Sequence, residues 1–347
     1  MRRRDVTKIE WVRSHDGSEG MSWNALRAIR IDEDGKRRSA NHCEHVNEAC
    51  RFCYAEKLNA RLGGLPFKPG HRKDYTFEID EKKLLEPLRR KKPTRIFCES
   101  MSDMFGEWWP EEFIDQEYAV MGMAHWHTFI NLSKRPKRRR DYLNSPTKRN
   151  DIELAAERIR ASKGLAVSPK WCFQWPLPNV IEGTSVSCQE EADAFVPILL
   201  DTPAALRVVS AEPLLGPIDF RHNWQPEGIC IDWLKGCNGT EPPIPRIDWL
   251  IVGGESGPSA RPMHPAWARA IREQCKAAGV AFFFKQWGEF APSTFTRRLG
   301  QQIAMTEHGK VERRPEIIAP SETVMERLGK KAAGRLLDGV EYNEFPR

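Results

Sequence analysis

One pattern recurs six times along the chain and restricts its fold more than any other feature. A short apolar or β-branched run gives way to a polar turn, and the turn to a stretch of helical character. Residues 95–98 (RIFC) lead into ESMSD, 128–132 (TFINL) into SKRP, and 180–183 (VIEG) into TSVSCQEEAD. Residues 206–209 (LRVV) lead into SAEPLLG, 249–252 (WLIV) into GGESG, and 281–284 (AFFF) into KQWGE. Strands alternating with helices build a parallel sheet, because each crossover brings the chain back to run in the same direction. Helix starts and stops punctuate the linking segments. Pro110 precedes Glu111 and Glu112, the 187–191 segment carries acids where the helix dipole favours them, and Pro265 opens WARAIREQCKAAG, which stops at Gly279.

The polar residues fall just after each apolar run. In a closed parallel barrel all those strand ends meet on one face, where active sites sit. An open doubly wound sheet gathers only some of them, at a switch point. The chain is read as α/β, a (β/α) barrel of TIM or partial-TIM type with insertions, with the open sheet as the alternative. Its 347 residues suit one large barrel or two smaller domains, and 40% apolar residues suffice for a sizeable core. Residues 1–40 read as an N-terminal extension with a short strand at 26–31. Residues 41–292 read as the barrel, and 293–347 as a C-terminal extension. Two segments break the rhythm: 138–170 is charged and helical in character, and 220–246 reads as an insertion that holds Cys230 and Cys237.

The nine cysteines are an odd number scattered over a long chain, which is not a secreted disulfide framework. No apolar leader and no window of about 18 apolar residues is present, so a cytoplasmic chain without a membrane span is expected. Cys43, Cys50 and Cys53 stand in a CX6CX2C arrangement that opens into a helix-like run, 54–62, ended by Gly63-Gly64. Three thiolates on one loop can converge on one metal. A structural zinc site or an electron-transfer cluster is normally closed by four ligands, whereas a [4Fe–4S] cluster on three cysteines leaves one iron open. Zinc completed by His42, His45 or a remote cysteine, and unrelated structural cysteines, are the competing readings.

Net charge is +6, which permits nucleic-acid binding without demanding it. Residues 134–140 (KRPKRRR) read either as a solvated helix start or as a patch for a phosphate-bearing substrate. Around the strand ends, Gly253 and Gly254 allow close backbone approach to a ligand. Glu255 or Glu212 suits an ammonium or a ribose hydroxyl. Lys134, Arg135 or Lys285 suits a carboxylate or phosphate, and Ser100, Asp103, Ser185 and Gln189 suit hydrogen bonds to substrate. Each also has a structural reading: a solvated helix start for Lys134 and Arg135, a turn for Glu212 and for the glycine pair, an N-cap for Asp103. Trp108 and Trp287 read as packing residues, and His264 as a structural hydrogen-bonding group.

TKIEW (7–11), the cysteine segment ending in CYAE (53–56), SMSDMFGEW (100–108), LSKRP (132–136), GTSVSCQEEAD (183–193), SAEPLLGPID (210–219), GGESGPSARPMHP (253–265) and FFFKQWGEF (282–290) follow one another in order. Together they resemble the phage Gp37/Gp68-like family, a domain of unknown function that shares a three-cysteine motif with radical-SAM enzymes. The resemblance implies a radical-SAM-like (β/α) barrel, a [4Fe–4S] cluster and S-adenosylmethionine. It also implies an electron donor, a phage or mobile-element context and a three-Cys-motif partner protein. On that basis the chain is expected to cleave S-adenosylmethionine to a 5′-deoxyadenosyl radical and to act on a nucleic acid or nucleotide. A non-catalytic nucleic-acid-binding protein with structural zinc or iron–sulfur is the alternative. The sequence departs from the family in a longer charged stretch before Cys43, and from the commonest radical-SAM spacing, CX3CX2C. Its GGE at 253–255 is similar to the glycine-glycine-glutamate element that binds the cofactor's amino group in radical-SAM enzymes, but it follows a late strand instead of an early one.

Overall fold

The computed structural model describes residues 6–14, 16–164, 174–221, 223–224, 230–237, 244–293, 302–309, 311–313 and 322–346. The first half of the chain forms β1 (Met21–Trp23), β2 (Leu26–Ile31), β3 (Arg37–Ala40), α1 (Tyr54–Arg61), β4 (Thr76–Ile79), α2 (Glu81–Leu84) and α3 (Glu86–Arg89). Then come β5 (Arg95–Cys98), α4 (Glu111–Met123), β6 (Thr128–Ser133), α5 (Pro136–Leu143), α6 (Lys148–Lys163) and β7 (Val180–Ser185). The second half forms α7 (Gln189–Leu200), β8 (Leu206–Ala211), β9 (Asn223–Trp224), β10 (Cys230–Ile231), β11 (Trp249–Gly253), α8 (Pro265–Ala278) and β12 (Ala281–Gln286). It ends in β13 (Phe290–Pro292), β14 (Gln302–Thr306), β15 (Val311–Arg313), β16 (Glu322–Arg327) and α9 (Lys330–Ala333).

All six runs picked out by their strand-turn-helix grammar are strands of one sheet, whose order is β1-β5-β6-β7-β8-β11-β12. The pairings β1–β5, β5–β6, β8–β11 and β11–β12 are parallel. The order begins at β1 and ends at β12, so the α/β organisation stands as a seven-stranded parallel sheet, not as the closed eight of a TIM barrel. Among the described residues no helix is long and apolar enough to cross a membrane.

The chain divides into two compact units, residues 1–183 with 202–206, and residues 184–201 with 207–347. In the first, β1 pairs with β5 in the register Met21↔Ile96 to Trp23↔Cys98. The segment expected to be an N-terminal extension thus supplies a sheet strand, and fully buried Trp23 donates its indole N–H to the Lys83 carbonyl at 2.8 Å. A small antiparallel sheet, β3-β2-β4, accompanies it. Helix α4 presents Ile114, Glu117, Tyr118 and Met121, at helical spacing, to a core with Met21, Ile96, Phe129 and Ile152. The charged 138–170 stretch is covered by two helices, α5 and α6, and residues 165–170 lie outside the described residues.

In the second unit every residue of β11 is buried, as expected of a parallel strand covered on both faces. Its core joins Val209, Leu250, Val252, Ile271, Phe282 and Phe284. Helix α8 starts as read: Pro265 sits in its first turn, and His264 Nδ1 accepts the Ala266 N–H at 3.2 Å, a structural role. Gly279 ends the helix in the left-handed region at φ 66°. Residues 293–347, expected as an extension, contribute β14, β15 and β16 to an antiparallel sheet ordered β13-β16-β14-β15, and Met305 and Met325 enter the same core. In the 220–246 insertion Trp233 and Leu234 are buried core residues and Cys237 is exposed; the Cys230 side chain lies outside the described residues.

Candidate functional site

The three cysteines lie on a loop of the first unit between β3 and α1. A short 3-10 turn, Glu48–Cys50, brings Cys50 round, and Cys53 takes the N-cap position of α1. The turn is tied by the Cys50 N–H to the Asn47 carbonyl (3.0 Å) and the Cys53 N–H to the Cys50 carbonyl (3.1 Å). Cys50 Sγ donates to Asn47 Oδ1 at 3.3 Å. The thiols feel one another. Burial and the nearby Asp103 carboxylate push the Cys43 thiol well up, against the pull of Arg135, and Cys53 and Cys50 add to the rise. Burial also raises Cys53, while the Glu56 and Ala55 N–H groups and the Lys134 ammonium work the other way. Among the described residues no three His, Cys, Asp or Glu side chains already stand as a metal-coordinating group.

Asp103, on the turn after β5, fastens this loop to the end of β6. Its Oδ1 accepts the Phe105 N–H (3.0 Å) and the Ser133 hydroxyl (2.8 Å); its Oδ2 accepts the Lys134 N–H (3.0 Å) and the Arg135 guanidinium (3.0 Å). All four partners belong to the protein, so Asp103 holds the site and is not spare for a ligand. Arg135 also donates to the Glu44 carbonyl at 3.0 Å. Burial opposes its charge, but Asp103 and Cys43 more than offset that, and its pKa lies above the ordinary arginine value. The guanidinium lies 4.7 Å from the centre of the Trp108 ring, and that of Arg72 lies 5.6 Å from it. Trp108 can lie there only because residue 106 is glycine: a Cβ on Gly106 would come within 2.2 Å of its ring.

Arg72 grips Glu44 bidentately, at 2.8 and 2.7 Å. Burial works against the Glu44 charge, but Arg72 and His42 hold the carboxyl below its usual range. His42 Nε2 lies 3.3 Å from Glu44, and burial lowers the imidazole's pKa so that it stays neutral. His45 Nε2 is 3.1 Å from Glu56. Ser100 bonds Asn24 at 3.2 Å, and its carbonyl accepts the Tyr54 hydroxyl at 2.7 Å, so the strand-end turn also meets the first residue of α1.

The basic run 134–140 does not form a surface patch. Arg139 is fully buried and bonds the Gly183 carbonyl. Arg138 donates to the Gly106 and Trp109 carbonyls, Arg135 to Asp103, and Lys137 and Arg140 pair with Asp141. The Lys134 ammonium has no ion-pair partner among the described residues.

Two acids that sequence reading passed over lie nearby. Glu99, directly after β5, has a left-handed backbone at φ 45°, a costly conformation for a residue with a Cβ. Its Oε1 accepts the Ala25 and Leu26 N–H groups at 2.7 and 3.1 Å. Its carboxyl hydrogen-bonds that of Glu117, which is completely buried. Burial raises Glu99 to about 7 and holds Glu117 well above the usual carboxyl range, where the Glu99 charge adds to the rise. Two buried carboxyls in contact are favoured as a pair that holds a proton between them. The signal was present: Glu117 interrupts the apolar face Ile114–Tyr118–Met121 at helical spacing.

In the second unit, Glu212 Oε1 pairs with Lys285 at 3.1 Å, and Ser210 donates to Glu212 Oε2 at 3.2 Å. A Cβ on Gly253 would lie 2.5 Å from Glu212 Oε1, so the missing side chain makes room for that carboxylate. A Cβ on Gly254 would lie 2.0 Å from the Trp287 carbonyl oxygen. Glu255 is gripped by Arg261 through both carboxylate oxygens, at 2.8 to 2.9 Å. Gln189 serves the fold, accepting the Asp219 N–H at 2.7 Å. Ser185 ends β7 and is half-buried. The predicted residues thus fall in two groups: Ser100, Asp103, Lys134 and Arg135 gather with the cysteines in the first unit, and Ser185, Glu212, Gly253, Gly254, Glu255 and Lys285 belong to the second.

One family model, described as a protein of unknown function (DUF5131), matches residues 38–346. No curated protein and no solved structure matches the chain.

Proposed function

The chain belongs to this DUF5131 family, and we propose from its own residues that it is an iron–sulfur enzyme of radical-SAM type, with a [4Fe–4S] cluster on Cys43, Cys50 and Cys53 and S-adenosylmethionine as cofactor. The observation that carries the reading is three thiols on one loop, close enough to shift one another's titration, with two cations beside them. The donor set suits the group. His42 and His45 each engage a carboxylate, which leaves three sulfur ligands and no evident fourth. When bound, the cluster supplies the electron that opens the sulfonium carbon–sulfur bond of S-adenosylmethionine.

The chain's own residues would do the rest. Arg135 favours the thiolate of Cys43 and Lys134 that of Cys53, offsetting the burial that raises both. The Lys134 ammonium is the group best placed to take a ligand carboxylate or phosphate. Asp103 fixes Arg135 and the Lys134 backbone, and so sets where both cations point. Glu212 and Lys285 are retained as ligand-binding candidates of the second unit; Glu255 is committed to Arg261. A radical-SAM-type barrel is the finer fold proposed with this reading. A nucleotide or nucleic acid is the proposed substrate. Contact with phosphate falls to Lys134, since the rest of the basic run is engaged within the protein.

The test is anaerobic reconstitution with iron and sulfide, then S-adenosylmethionine and a strong reductant, with 5′-deoxyadenosine followed by chromatography. The expected result is bound iron and sulfide with a visible absorbance band, cofactor cleavage, and loss of both in Cys50→Ala. Bound zinc, no visible band and no cleavage would replace the proposal with a non-catalytic binding protein.

A further inference from the structure

Helix α1 starts immediately after Cys53, and part of its outward side is apolar. Tyr54, Leu58 and Leu62, four residues apart along the helix and its cap, are 53%, 40% and 50% exposed. Ala55 and Asn59 are the buried residues of the helix and mark its inward face. Lys57 and Arg61 are exposed alongside the stripe, and neither has an ion-pair partner among the described residues. The one acid on the helix, Glu56, is occupied by His45 and by the Phe67 N–H. Exposed apolar side chains in a row, edged by unpaired cations, are the makings of a contact surface for an acidic partner. A nucleic acid would use the cations but leave the aliphatic stripe uncovered, whereas a protein with an apolar centre and acidic edge would use both.

We propose that this face of α1 docks a small acidic electron-transfer protein, with a flavin or iron–sulfur centre, that reduces the cluster. The inference rests on the proposed function, which requires an electron from outside the chain. The helix is the natural place to deliver it, because its first residue adjoins the cluster ligand Cys53. One electron leaves the reduced donor and enters the cluster, so the donor is oxidised and the cluster reduced by the same single electron. Tyr54 also bonds the Ser100 carbonyl, so the docked partner would touch a side chain tied to the strand-end turn.

The test uses the full chain, an acidic flavodoxin as probe, and two variants at exposed positions: Lys57→Glu with Arg61→Glu, and Leu58→Asp. Binding is measured by calorimetry on the metal-free protein, and cluster reduction is timed separately with reduced flavodoxin and with dithionite. The expected result is salt-sensitive binding that weakens by about tenfold or more in each variant, in line with lost charge and apolar complementarity. Reduction by flavodoxin should slow by a comparable factor, and reduction by dithionite should not change. Equal affinity and equal rates in the variants would overturn the proposal. So would the absence of binding by the unaltered chain, or tighter binding of a single-stranded oligonucleotide that the same variants abolish. A chain that takes up no iron would sink the proposed function alone, because the binding arm still decides whether α1 is a docking face.

Discussion

Replacing Asp103 by Asn keeps the side chain's size but removes one acceptor where two donors converge. The wild-type Oδ2 receives the Lys134 N–H and the Arg135 guanidinium, each at 3.0 Å. If Asn keeps its oxygen toward Phe105 and Ser133, its amide N–H2 group faces those two donors. The Asp103 and Arg135 side chains are only 7% and 14% exposed, so water cannot stand in for the lost oxygen. Breaking a buried ion pair on one side costs about 3–5 kcal/mol, because the partner charge stays buried and uncompensated. A stranded backbone N–H alone costs about 1–3 kcal/mol, and part of that is already contained in the first figure. The expected loss is therefore roughly 3–5 kcal/mol, read by urea denaturation, with faster amide exchange at 103–106 and 133–135. Arg135→Met with Asp103→Asn should lose less than the sum of the two single changes, by about 1–3 kcal/mol. A loss below about 1 kcal/mol, or strict additivity, would show that the carboxylate does not hold the guanidinium as described.

The Glu99–Glu117 pair predicts a pH dependence of the opposite sign to that of a salt-bridged acid. Glu99 titrates at about 7 in the folded chain, above its ordinary 4.5, so the folded state holds the extra proton between those values. Its contribution to stability is fully present below the ordinary value and is lost as pH rises through about 7. Urea midpoints should fall between pH 5 and pH 8, and Glu117→Gln should flatten that slope; an unchanged slope would refute the pairing. The two neighbouring glycines should separate cleanly. Gly254→Ala meets a backbone carbonyl at 2.0 Å and should lower thermal stability strongly, whereas Gly253→Ala meets a movable carboxylate at 2.5 Å and should cost less, chiefly by disturbing the Glu212–Lys285 pair. Equal melting temperatures for the two variants would contradict this ranking.

The parallel strands were legible because each is a local apolar run followed by its own turn chemistry. Strand β1 was not, since three residues, Met21 to Trp23, carry too little pattern and are strand only by pairing with β5. The small sheet of β13 to β16 was missed for a related reason: its strands are antiparallel and widely separated in sequence, and their registers are set by tertiary pairing. The cysteine spacing could be read directly, and so could the polar character of Asp103, Lys134 and Arg135. What each polar residue touches could not. KRPKRRR reads as a charge run, yet Arg139 is buried against Gly183, forty-four positions away. Glu255 reads as a ligand for an ammonium, yet Arg261 occupies both its oxygens.

The hydrogen bond from Arg135 to the Glu44 carbonyl joins residues ninety-one positions apart, and the Ser102 hydroxyl bonds the His42 carbonyl across sixty. The backbone on either side of Cys43 is thus shaped by side chains encoded far downstream. For protein engineering this means that the cysteine segment is not a portable cassette. Grafted onto another sheet without Ser102, Asp103, Arg135 and the glycine beneath Trp108, the same residues would lack the contacts that give the loop its shape. A recipient scaffold would have to import the turns after two of its strands along with the thiols.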